Sequence, residues 1–220
     1  MPISELRGDI AALKHRRIGA APWVEMGLRG LLNTSGLDPV RDDIGIGPVP
    51  RTGDAGINFG LAAAEALERG ESDGFWANGM AAEIAVGCKV GTVVLDVRRG
   101  DGPPGVFGYT MPALVATDRL IEHAPDTAAA AIQALVACQR ALRHDPRRAI
   151  EVGSRRFPSR EAGLIVPLVE RDLPFYDAAI SEPVLAGVTD FDRGLGALTR
   201  RAPYAEAVAT QFRDLWRGEG

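Results

Sequence analysis

Residues 18–32 read IGAAPWVEMGLRGLL, and the fold turns on how this stretch is divided. The first part, with Arg16 and Arg17 ahead of it, has the small and β-branched residues of a short buried strand over 16–21. A helix follows. Pro22 suits its first turn, where a missing N–H costs nothing, and Val24, Leu28, Leu31 and Leu32 recur at i, i+4, i+7 and i+8 to make one apolar face. Gly36 supplies the stop. The turn between strand and helix is therefore the first place to look for a bound molecule.

The pattern repeats downstream. We expect strands at 44–50, 73–77 and 90–97, with helices at 56–69 and 78–87 between them. Glu65 and Arg69 form an exposed i,i+4 pair on the first of these helices. Strand and helix in alternation predict an α/β layer with a mainly parallel sheet. After the Gly/Pro-rich connector at 98–108 one more strand is expected at 109–117, and the sequence then becomes helical. Pro125 opens the strongest helix, 125–144, whose buried side is marked by Ile132, Leu135, Val136 and Leu142. Further helices are expected at 146–156, 159–172, 178–189 and 203–216. The domains read as an N-terminal segment 1–15, an α/β domain 16–97, the connector 98–108 and a mostly helical part 109–220.

Composition narrows the function. In 220 residues, 46% are hydrophobic and 25% charged, as in an ordinary folded protein. The net charge of -4 gives no reason to expect a nucleic-acid partner. Lys14 and Lys89 are the only lysines, and the arginines are scattered. Cys88 and Cys138 lie too far apart to suggest a disulfide framework or a metal knuckle. The first residues carry no signal-peptide core, and no apolar run reaches membrane-spanning length. On that reading the chain stays in the cytoplasm.

Three loops fall where strands give way to helices, the ends at which open α/β sheets bind ligands. The first holds Trp23 and Glu25. Trp23 sits beside the apolar stripe and either stacks on a ligand or packs, while Glu25 is spaced to pair with Arg29. An acidic first turn also disfavours a bound anion. The second holds Thr52 and Asp54, of which N-capping explains one. In the third, Phe75 and Trp76 must point to opposite faces of a strand, and Asn78 stands at the next helix start. Tyr109 is a further candidate, with no base paired to it. His15, His123 and His144 lie in charged or helix-end contexts and read as solvated. No nucleophile elbow, zinc helix or phosphate loop is present. Cys88 reads as a small buried residue. No cofactor, metal or catalytic residue is expected, and we read the chain as a binding protein.

The segments LKHRRIGAAPWVEMGLRGLL, ALERGESDGFWANGMAAEIAV and TMPALVATDRLIEHAPDTAAAAIQALVACQRAL together resemble the solute-binding proteins of nitrate/sulfonate/taurine-type ABC importers, including the NMT1/THI5-like group. The resemblance covers most of the chain. It implies a type II periplasmic-binding-protein fold, with 16–97 as the second lobe and the chain from 109 onward as the C-terminal part of the first. A solute would be held in the cleft between lobes by Trp23, Glu25, Thr52, Asp54, Trp76, Asn78 and Tyr109. An ABC permease would be the partner, and the location would be periplasmic. Such proteins open with a signal peptide and βαβ units that this sequence does not contain, so the first lobe is expected to be incomplete, and self-association is one way to complete it. Two tryptophans with Glu25 and Asp54 favour a ring-bearing, pyrimidine-like solute over nitrate or a sulfonate. The alternatives are an enzyme on the same scaffold, of the pyrimidine-precursor synthase or desulfinase kind, and a remnant that binds nothing.

Overall fold

The structure is a computed structural model that describes residues 7–22, 24–51, 59–103 and 112–216. It divides into two compact units at residues 110 and 111. The first is α/β, and the second contains helices and no strand among its described residues.

In the first unit the order is β1 (Arg17–Ala20), α1 (Glu25–Thr34), β2 (Gly45–Gly47), α2 (Phe59–Glu68), β3 (Gly74–Trp76) and α3 (Gly79–Gly87). The three strands form a parallel sheet in the order β2-β1-β3. Ile18 of β1 pairs with Ile46 on one side and Gly74 on the other, and Ala20 pairs with Trp76. A salt bridge sets the start of β3: the Arg17 N–H and Nε both donate to Asp73 Oδ2, at 2.8 and 3.3 Å. This contact holds the Asp73 carboxyl below the usual carboxylate range, chiefly through the Arg17 N–H.

Alternation along these short strands separates two apolar layers. Ile18 and Ile44 pack with Leu28, Leu31 and Leu32 of α1, and Trp76, Leu95 and Val97 close that cluster. On the opposite face Val49, Ala62, Ala63 and Ala66 pack with Phe59 and Phe75. Phe75 and Trp76 thus diverge as their adjacency requires. Gly19 is obligatory for this arrangement, because a Cβ there would lie 2.4 Å from Val49 Cγ2.

Helix α1 starts at Glu25, later than the sequence suggests. Pro22 lies in the preceding turn, where the Ala21 carbonyl accepts the N–H of Val24 at 3.0 Å and of Glu25 at 2.9 Å. Gly36, at φ +71°, ends the helix as expected. Asp42 fixes the way into β2. Its side chain, 9% exposed, accepts hydrogen bonds from the Asp38 N–H at 2.8 Å and Arg41 Nη2 at 2.8 Å, and Lys14 Nζ lies 3.0 Å away. The Asp38 N–H above all, then Lys14, holds its carboxyl far below the ordinary value. A carboxylate depressed in the folded state stabilises above its unfolded pKa of about 3.9, and that stability fades as pH falls toward the folded value. Asp42→Asn should therefore lower the melting temperature at pH 7. The gap from wild type should narrow steadily below about pH 4, read as a melting-temperature series against pH.

Neither the expected strand at 90–97 nor the described part of the one at 109–117, residues 112–117, forms. Residues 90–96 are irregular, with bends at Val90 and Val94, and Val97 opens a short 3-10 helix (Val97–Arg99), so the segment does not join the sheet. Leu95 and Val97 instead cover the α1 cluster, and the Val94 carbonyl accepts the Gly8 N–H at 2.7 Å. Residues 112–117 are irregular and exposed, with Val115 at 84%. Alternating apolar residues make a strand only beside another strand, and the second unit has none among its described residues.

That unit comprises α4 (Asp118–His123), α5 (Pro125–His144), α6 (Arg148–Arg156), α7 (Ser159–Asp172), α8 (Glu182–Gly194), α9 (Tyr204–Ala207) and α10 (Arg213–Trp216). α5 and α7 match their expected bounds. Ala128 and Val136 form the buried stripe of α5, whereas Leu135, expected inside, is 51% exposed. α8 begins at Glu182 rather than 178, after Ser181 caps it through the Val184 N–H. The helix expected over 203–216 breaks because Val208 is extended (φ -112°, ψ 125°), which buries it and Phe212. Among the described residues no helix is long and apolar enough to cross a membrane.

Candidate functional site

The strand order places a reversal at β1. From β1 the chain crosses by α1 to β2 on one side; from β2 it crosses by α2 to β3 on the other. Helices α1 and α2 accordingly lie on opposite faces. The loops leaving β1 and β3 therefore diverge, and open sheets leave a crevice at such a point, beyond the carboxyl ends of the strands. Here those ends are Ala20 and Trp76, paired side by side.

Three expected residues stand at this edge. Glu25 begins α1 and its Oε1 lies 2.6 Å from the Arg29 guanidinium, with side-chain exposures of 24% and 48%. The pair forms as its spacing requires, so Glu25 presents a largely compensated charge. Trp76 is half-buried and packs against the α1 cluster. Its indole lies over Gly27, where an added Cβ would sit 3.4 Å from Nε1. Part of the ring is thus committed to packing against α1, and part of the residue stays accessible. Asn78 caps α3, with Oδ1 accepting the Ala81 N–H at 3.1 Å. That accounts for one of its polar groups and fixes where the side chain stands.

Trp23, Thr52, Asp54 and Tyr109 lie outside the described residues. Of the seven expected residues the structure thus describes Glu25, at the start of α1, Trp76, at the end of β3, and Asn78, at the cap of α3. Sequence reasoning missed Gly27. A glycine inside a helix costs roughly 1 kcal/mol against alanine, and that cost was the signal that something approaches the helix backbone there.

Chemically, this edge offers an indole, a carboxamide and a neutralised ion pair. His15 and His123 lie elsewhere, on Asp43 at 3.3 Å and on the Arg119 carbonyl at 2.9 Å. Cys88 follows α3 and is half-buried, which corrects the expectation of a buried thiol; Cys138 is exposed. Among the described residues no group of three acidic, histidine or cysteine side chains is placed to hold a metal ion. No protein-family model, curated protein or solved structure matches the chain.

Proposed function

We propose that the chain is the solute-binding component of an importer of the ABC type. In this reading the first unit is the second lobe of a type II periplasmic-binding-protein fold, acting outside the cytoplasm, and an ABC permease is the partner. A small organic solute would be taken at the carboxyl ends of β1 and β3. The reversal of strand order at β1 carries the reading, because it opens the sheet where Glu25, Trp76 and Asn78 stand. The segments that resemble this family also supply β1–α1, β3–α3 and α4–α5, in the same sequence order.

The accessible edge of Trp76 offers an aromatic surface, and Asn78 offers both a donor and an acceptor. Because Arg29 already holds Glu25, the edge carries little uncompensated positive charge to draw a bare oxyanion. A neutral or weakly cationic ring with polar substituents fits this chemistry better than nitrate or an alkyl sulfonate.

A thermal-shift panel of pyrimidines, alkyl sulfonates and nitrate tests the assignment. The account expects the ring compounds to give the largest rise in melting temperature. At a hundredfold excess over Kd, binding to the folded state adds about 2.7 kcal/mol. A rise with nitrate or sulfonates alone reverses the preference for rings, and no response from any of the three classes removes the reading.

A further inference from the structure

The break at Val208 brings together residues that a continuous helix would hold apart. In one helix over 203–216, Tyr204 and Arg213 would lie about 13.5 Å apart along the axis and on opposite sides. With Val208 extended, and with Val208 and Phe212 both buried, Arg213 Cζ lies 5.7 Å from the centre of the Tyr204 ring. The Tyr204 hydroxyl donates to the Ile180 carbonyl, which ties α9 to the segment ahead of α8. Trp216 follows Arg213 by three residues and so shares its side of α10. The result is an open pocket of about 230 Å³ lined by Ile180, Ser181, Glu182, Tyr204, Arg213 and Trp216.

Two opposite charges line this pocket without meeting. Among the described residues neither Glu182 nor Arg213 makes an ion pair or a side-chain hydrogen bond. The Arg213 guanidinium rests on an aromatic face, which leaves its N–H donors uncommitted. The α8 dipole accounts for an acidic residue in the first turn, but it leaves the Glu182 carboxylate oxygens unpaired. Ser181 Oγ accepts the Val184 N–H at 3.4 Å as the α8 cap, so its hydroxyl hydrogen remains free to donate.

These walls select for charge as well as shape. An anion alone would satisfy Arg213 and be repelled by Glu182, and a cation alone would do the reverse. A ligand that carries both charges a few bonds apart satisfies both groups. Trp216 and Ile180 supply the apolar surface beside them. At about 30 Å³ for each molecule of liquid water, the pocket has the volume of about eight waters, which suits a small molecule and not a peptide segment.

We propose that this pocket binds a free α-amino acid with an apolar or aromatic side chain. Its carboxylate meets Arg213, its ammonium group meets Glu182, and its side chain lies against Trp216. The site belongs to the second unit and does not depend on the solute reading.

Isothermal titration calorimetry of the full chain with L-phenylalanine provides the test. Two derivatives each lack one charge: L-phenylalaninamide has no carboxylate, and N-acetyl-L-phenylalanine has no ammonium group. The free amino acid should bind saturably, and each derivative at least about tenfold more weakly. Glu182→Gln changes an exposed side chain and should keep the wild-type circular dichroism. It should weaken L-phenylalanine by about tenfold or more, and the preference for the free amino acid over its N-acetyl derivative should disappear. No saturable binding of L-phenylalanine, equal binding of either derivative by wild type, or an unchanged preference in Glu182→Gln would each overturn the proposal.

Discussion

Replacing Leu31 with alanine is expected to destabilise the first unit by about 3 kcal/mol. Leu31 is completely buried, in the middle of the cluster formed with Ile18, Leu28, Leu32 and Ile44. Helix and sheet surround it, so the site can collapse only partly. The loss combines the transfer energy of the missing carbons with the cost of the remaining cavity. Trp76, one of three tryptophans, touches the same cluster, so urea unfolding followed by tryptophan fluorescence carries a signal from it. Leu135→Ala is the matched control. That residue is about half exposed on α5, and its truncation should shift stability by less than about 0.5 kcal/mol. Equal losses at the two positions would mean that the leucines of α1 do not form the core described.

Gly60→Leu should be at least as damaging, for the opposite reason. A Cβ on Gly60 would sit 2.6 Å from Ala81 Cα and 3.0 Å from both Ala81 Cβ and Ile84 Cδ1. The obstacle is the backbone of α3, which no rotamer change can move aside. Overpacking at such a contact costs about 3 kcal/mol and sometimes more, because α2 and α3 must separate. The separation would also tilt the start of α3, where the Asn78 cap stands at the candidate site. Loss of stability should therefore come with loss of solute response in the same thermal-shift panel. A Gly60→Leu protein as stable as wild type would show that α2 and α3 do not pack this closely.

How far the fold could be read from sequence varied with what each element needed. Helix α5 was legible to its end residues because Pro125 sets its start and twenty residues of one period follow. β1 and α1 were legible because the period changes from two to 3.6 between Ala20 and Leu28. Residues 90–97 and 112–117 were not. Val93, Leu95 and Val97 alternate as a strand would, yet alternation says nothing about whether a neighbouring strand is within reach. The break at Val208 was hidden for a similar reason, since burial of Val208 and Phe212 outweighs the helical period around them. At the candidate site, the Glu25–Arg29 pair and the divergence of Phe75 from Trp76 followed from local spacing alone. The approach of the Trp76 indole to Gly27 did not, because it joins residues 49 positions apart.

Amide NMR of the labelled chain, titrated with the ring compound that gives the largest thermal shift, puts the β1–β3 edge to its most direct trial. Assigned resonances of Ala21, Val24, Glu25, Ala77 and Asn78 should move first and saturate together, with the Trp76 indole N–H among them. Saturable changes confined to α2 or to the second unit, with those amides still, would contradict the account.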